Sequence, residues 1–371
     1  MARARPGGNG HARAPARAAG SGCYGVHRMY LLRDARKGDL KGLGALAAAL
    51  DSVNLPDDER ALAEILERSC RSFQGRIRDP LRRAYVFVLE EARTGRLAGT
   101  SMLIAQHGTH DSPCAFFQVS TREHYSSTLD RHFKHQVLSI GYHFDGPSEI
   151  GGLVVSPSDR GGPEQPGKQL SFARFLYLAM FPERFRDVVL AELMPPLAGG
   201  KSPFWESCGK RFTGLEYPEA DKLSRENKEF IQQLFPPGEI YATLLPPRVR
   251  RALGAVGPAT EPVKRMLEAI GFRYASRVDP FDGGPHYEAP TNAIAPVRAF
   301  RRARVSAAPL SPAAAERPKL VGLARPTGRA RFRAVRAPAR FEGEEVLLTP
   351  EARERLEVLP GDRVGVVPLD L

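Results

Sequence analysis

The sequence predicts an α+β fold: a mixed central sheet flanked by helices, followed by a small C-terminal β-rich extension. Three observations carry this. Two β-rich runs flank Thr94–Gly95 as a hairpin. Residues 149–194 read strand, glycine-rich loop, apolar helix, strand. The closing stretch EEVLLTPEARERLEVLPGDRVGVVPL reads strand, helix, strand around a Pro-Gly-Asp turn.

The elements follow in order. Residues 1–28 hold five arginines and no acids and read as a disordered basic leader. Tyr30–Leu32 is a short strand, and Asp39 is placed to cap a helix running to about Leu50. A second amphipathic helix follows Pro56, with Leu62, Ile65, Leu66 and Cys70 at helical spacing. Residues 107–148 carry six of the nine histidines and show no clear period. His132 and His135 alone have a spacing of interest, and exposed or hydrogen-bonded imidazoles are the plainer reading. Glu149–Val155 is a strand, SPSDRGGPEQPG a loop, and Lys168 to about Phe181 an apolar helix. DVVLAELM is the next strand. SPFWESCGKRFTGLEYPEA predicts a short helix and a strand, with Phe204, Trp205 and Phe212 in the core. Ala220–Leu234 is a further helix, and EPVKRMLEAIGFRYASRVDPFDGG repeats the helix–strand pattern. The expected organisation is a main domain over 29–299, a basic linker over 300–340, and a β-rich segment over 341–371 packing on the main body.

Composition narrows the function. The net charge is +12, but residues 1–28 contribute +5 and residues 297–340 contribute +11, so the rest is mildly acidic. Only Phe300 and Phe332 interleave with the second basic stretch, which argues against a specific nucleic-acid site. The four cysteines are widely spaced without a CxxC pair, so neither a metal site nor a disulfide framework is expected. No apolar run approaches the ~18 residues of a membrane span, and residues 1–27 lack a signal-peptide pattern. A cytoplasmic location without membrane attachment is the default.

The strand–loop–helix segment carries the chemistry. Backbone N–H groups at a helix N-terminus hold phosphate, and glycines allow close approach. Arg160, Gly161, Gly162, Gly167 and Lys168 stand where such a loop belongs, although an ordinary strand-to-helix turn also uses glycines. Gly151 and Gly152 inside the strand suggest a bulge that turns an N–H toward a thioester carbonyl, or a close backbone approach.

The strand, the Arg-Gly-Gly loop and the helix resemble the GCN5-related N-acyltransferase superfamily. The chain as a whole resembles the arginine N-succinyltransferase family within it. YVFVLEEARTGRLAG, SPFWESCGKRF and GFRYASRVDPFDGGP carry the likeness, which runs from Met29 to about Ala299 and more faintly through the C-terminal stretch. It implies the GCN5-related fold and transfer of succinyl to the α-amine of L-arginine in arginine catabolism. The donor is succinyl-CoA, a co-substrate and not a resident cofactor, and a homo-oligomer is implied. The family's acyl-CoA contact falls on Leu153, with Val154 and Val155 beside it. Its proton-donor histidine, which precedes a proline, falls on Gly257 in AVGPATEP. Glu149, His286 and Tyr241 are therefore the candidates for proton transfer, each with a plain alternative as an ion-paired, loop or packed residue. Asp279 and Asp282 either pair with a guanidinium or cap turns. Lys210 and Arg211 either reach the succinyl carboxylate or are solvated surface charge. Gly257 also keeps open a different amine or acyl donor, or a non-catalytic acyl-CoA-binding homologue.

Overall fold

The computed structural model describes residues 29–48, 56, 58–109, 113–197, 199, 201–226, 228–311, 316–328 and 330–370. The leader expected over 1–28 and the Leu50 end of the first helix lie outside them. Among the described residues one sheet gathers fifteen strands. In chain order they begin with β1 (Tyr30–Asp34), β2 (Ala84–Glu91), β3 (Leu97–Ile104), β4 (Cys114–Ser126) and β5 (Arg131–His143). There follow β6 (Ser148–Val155), β7 (Val188–Glu192), β8 (Ile240–Tyr241), β9 (Arg273–Val278) and β10 (Pro285–Pro290). The last are β11 (Arg301–Val305), β12 (Pro318–Ala324), β13 (Phe332–Glu342), β14 (Glu345–Leu348) and β15 (Arg363–Pro368).

The expected hairpin is β2–β3, turning where Gly95 takes a φ of +72°. The continuous apolar run of β2 is explained by cover on both faces. Val86 and Val88 pack under α1 (Leu40–Ala48) and α2 (Glu59–Phe73), while Tyr85, Phe87 and Leu89 face α3 (Pro166–Met180). The α3 sequence is apolar nearly all round because it is enclosed, with Leu320 and Val367 of the C-terminal strands and the sheet in one core. Asp39 does not cap α1. It lies in a preceding turn, where its carboxylate accepts from Arg36 N–H and pairs with Arg33.

Residues 114–143 form one long hairpin in continuous register from Cys114↔His143 to Ser126↔Arg131. The sequence hid it because its outer half is polar on both faces. The stretch after β7 also differs from expectation. Its strand is replaced by short helices at Pro203–Ser207 and Gly209–Thr213, and residues 217–234 form two helices, Tyr217–Glu226 and Glu229–Leu234. Gly209 has no side chain because a Cβ would enter the Trp205 ring. Phe204 and Trp205 are core, whereas Phe212 is 36% exposed and only edges onto Phe235.

The expected basic linker is structured. Strands β12, β15, β11, β14 and β13 follow one another, and β12 also pairs with β13, closing a five-stranded barrel over residues 301–368. Its arginines are out of phase with the apolar residues: Phe332, Ala334, Ala337 and Ala339 are buried in β13, while Arg333, Arg336 and Arg340 are not. Composition registers the charge and misses this near-alternation. β13 continues onto β1, and buried Asp34 accepts the Arg331 and Phe332 N–H groups across the junction.

Candidate active site

Strand β6 lies between β3 and β7. Its register with β3 slips between Thr100↔Val154 and Met102↔Gly151, so Gly152 and Leu153 together oppose one residue. This is the anticipated bulge. Gly152 takes a φ of +54°, which a side chain resists. Arg174, fully buried on α3, donates to the Gly151 carbonyl at 3.4 Å and to Ser171 Oγ at 2.8 Å, bracing the bulge from behind. Burial pushes its guanidinium down to about 9. On the other side, β6 and β7 run parallel and pair at Ser148↔Val189 and Glu149↔Leu190, before the bulge. The ladder stops there, leaving a wedge along the rest of β6.

The loop after β6 bounds a hollow of about 370 Å³ at the N-terminus of α3. Val155, Arg160, Gly161, Gly162, Gly167 and Lys168, all anticipated cofactor contacts, line it. Gly161 has a φ of +71° and Gln165 a φ of +51°, the latter immediately before Pro166 opens the helix. Arg160 Nε donates to the Val155 carbonyl at 3.0 Å. Glu164 is held from the barrel by Arg336 at 2.6 Å. Leu153 packs partly against the main core, and the Val154 side chain is buried in the α1–α2 core, so Val154 offers a ligand only its backbone.

At the closed end of the wedge, Glu149 and His107 meet, with Nδ1 2.8 Å from Oε2. Burial would raise Glu149, but the imidazolium beside it prevails and holds the carboxylate below its usual range. Burial would lower His107, yet Glu149 and then Cys114 hold it well above the usual imidazole value. The pair is therefore ionised at neutral pH. Glu192 of β7 and His286 of β10 are cross-strand partners, with His286 Nε2 3.5 Å from Glu192 Oε1. Burial pushes His286 down to about 4, so it is neutral. Burial, then the charge of Glu149, raises Glu192; burial, then Glu192, raises Asp279 to about 6. Two overlapping sets of ligand-type atoms, His107–Cys114–Glu192 and Glu192–Asp279–His286, each fall within 4.8 Å of one another. Those sets are a constellation that the sequence spacing did not suggest.

The structure thus brings Glu149 and His286 together and leaves Tyr241 out. Tyr241 lies on edge strand β8, with five strands between it and β6, against His124 and His135. Gly257 stands on the Met194–Pro195 backbone just past β7, donating its N–H to Met194 O; a Cβ there would come within 2.9 Å of Pro195 O. Asp279 and Asp282 do cap turns, accepting from Phe281, Asp282 and Gly284 N–H groups, while Asp279 also joins the cluster. Lys210 is paired with Glu206 and Glu216. Glu192 and His107 were missed. An acid directly ending the apolar run VVLA was the one available signal for Glu192.

A bulged strand parting from its parallel neighbour, a glycine-lined hollow at a helix N-terminus and an ionised carboxylate in the wedge define an acyl-CoA-dependent N-acyltransferase. Family models agree. Residues 30–296 match the arginine N-succinyltransferase beta subunit and residues 301–368 its C-terminal domain. The chain belongs to the arginine N-succinyltransferase family. It is 35% identical over 346 residues to the arginine N-succinyltransferase of Enterobacter sp. (strain 638), covering 92% of this chain and 98% of that protein. It is 34% identical, with the same coverage, to that of Escherichia coli (strain 55989). The solved structure of arginine/ornithine succinyltransferase subunit AI from Pseudomonas aeruginosa superposes with a TM-score of 0.78 at 30% identity, covering 93% of this chain and all of that one. Among the described residues no helix is long and apolar enough to cross a membrane.

Proposed function

We propose that this chain transfers succinyl from succinyl-CoA to the α-amine of L-arginine, with Glu149 as the base. The observation that carries the reading is the ionised Glu149 beside His107 at the closed end of the wedge, next to the β6 bulge. The pyrophosphate sits in the Arg160–Lys168 loop and the thioester carbonyl at the Gly152–Leu153 bulge. The substrate ammonium gives one proton to Glu149, and the amine attacks the carbonyl carbon. The C–N bond forms, and the oxyanion is met by a backbone N–H. The C–S bond then breaks, nitrogen loses its second proton and the thiolate gains one, so one proton is released per turnover. The family's imidazole at 257 is absent, and the His107 imidazolium is the proton source beside the base. A cytoplasmic setting, where acyl-CoA and free amino acids meet, and an assembly of several copies, supported by relatives named as subunits, belong to the same proposal.

Purified protein with succinyl-CoA and L-arginine should release CoA thiol and yield N-succinylarginine by mass spectrometry. Folded protein that releases no thiol above background overturns the proposal. Gly257 favours one second reading, a different amine or acyl donor, and a panel of amines and acyl-CoAs in the same assay decides between them.

A further inference from the structure

Glu192, Asp279 and His286 take no part in the proton transfers above, yet their ligand-type atoms lie within 4.8 Å of one another, close enough to Glu149 to feel its charge. The parallel register Glu149↔Leu190 puts Glu192 two residues further along β7, on the same face as Glu149. Glu192 keeps 27% of its side chain exposed, so the cluster is reached from solvent on that side. His286 is 1% exposed, and its Nε2 is buried without a hydrogen-bond partner while facing the Glu192 carboxylate. Phe281 and Asp282 N–H groups fix the Asp279 carboxylate in place. His286 Nε2, without a hydrogen-bond partner and grouped with two carboxylates, is free to accept from a donor, because a buried polar atom left unsatisfied is destabilising.

We propose that Glu192, Asp279 and His286 are the receptor for the guanidinium end of the amine substrate and set its specificity. This rests on the functional reading above. A guanidinium is planar, carries five N–H donors and accepts nothing, so it suits the acceptor atoms that Glu192, Asp279 and His286 offer. A neutral His286 can accept one N–H through Nε2 while the two carboxylates take others and balance the charge. The same atoms could hold a divalent ion, but the cluster adjoins Glu149, where the amine substrate must lie.

The test compares L-arginine with L-citrulline, its uncharged isostere, in succinyl transfer by the wild-type protein and by Glu192→Gln and Glu192→Asp, with and without chelator. Arginine should exceed citrulline by about 100-fold in kcat/KM. Glu192→Gln should reduce kcat/KM for arginine by roughly 30-fold, mainly through KM, and for citrulline by less than about threefold. Glu192→Asp, which keeps the charge, should recover part of the loss. Equal losses for both amines, or equal use of both by the wild type, overturn the receptor while leaving the transfer reaction standing. Stoichiometric zinc in the purified protein that is lost in Glu192→Gln also overturns it, in favour of a metal site. Wild-type protein that succinylates other amines but neither of these defeats the functional reading and the receptor together.

Discussion

His107 Nδ1 stands 2.8 Å from Glu149 Oε2 where β6 and β7 make their last paired contact. The imidazolium holds the carboxylate below its usual range in a site whose burial pushes the other way. Replacing His107 by Gln removes that charge, so the Glu149 pKa rises and the acid limb of kcat/KM moves to higher pH. The same change destabilises the fold by about 3 kcal/mol, because a buried carboxylate loses its partner. The lowered Glu149 contributes stability above its unfolded value, lost as pH falls through its folded pKa. The raised His107 contributes stability below its unfolded value, lost as pH rises through its folded pKa. A pH–rate profile and urea melts at several pH values check both. An unmoved acid limb would show that the pair does not tune the base.

Gly152→Ala should straighten the bulge. A φ of +54° is unfavourable by about 1–2 kcal/mol for a residue with a Cβ, and that Cβ would lie 3.3 Å from Met102 Cβ. Relief of this strain moves the outward N–H, so kcat should fall about 100-fold with little change in succinyl-CoA affinity. Stopped-flow turnover beside calorimetric binding separates the two.

Arg336→Ala tests whether the barrel steadies the proposed succinyl-CoA loop. Arg336 holds Glu164 at 2.6 Å with both side chains mostly shielded. Loss of the tie should raise KM for succinyl-CoA by roughly fivefold and leave KM for the amine unchanged. Steady-state kinetics with each substrate varied in turn provides the check.

Arginine affinity should strengthen as pH rises through about 6, the value to which burial and Glu192 lift Asp279. A cation favours the ionised carboxylate, so binding near pH 6 should release a proton, visible by calorimetry in buffers of different ionisation enthalpy. In the free protein the sign is opposite. A carboxyl raised above its unfolded value of 3.8 makes stability fall as pH rises from about 4 to 6.

Gly257→His should not restore a family-type proton donor. The added Cβ meets Pro195 O at 2.9 Å and Met194 O at 3.3 Å, both backbone atoms that cannot rotate away. We expect a loss of about 1–3 kcal/mol in stability and no gain in kcat. A thermal melt with the thiol-release assay decides.

The β6 bulge and the glycine loop were legible because their signals are local: two adjacent glycines in a strand and an Arg-Gly-Gly before an apolar helix. Arginine content masks the barrel in composition, because the signal lies in the spacing of Phe332, Ala334, Ala337 and Ala339. The cluster was out of reach for a different reason. His107, Glu192, Asp279 and His286 come from separate loops and strands, and only the order β3–β6–β7–β10 assembles them. Tyr241 shows the converse: its chemistry suited the role, but strand pairing carried it to the sheet's edge strand, away from β6.

Glu149→Gln is the most direct measurement. It keeps the shape of the side chain and removes the base. Succinyl transfer to L-arginine should fall at least about 100-fold in kcat while succinyl-CoA binding by calorimetry stays within about threefold. A variant that folds, binds succinyl-CoA and turns over near the wild-type rate would contradict the assignment of Glu149 as the base.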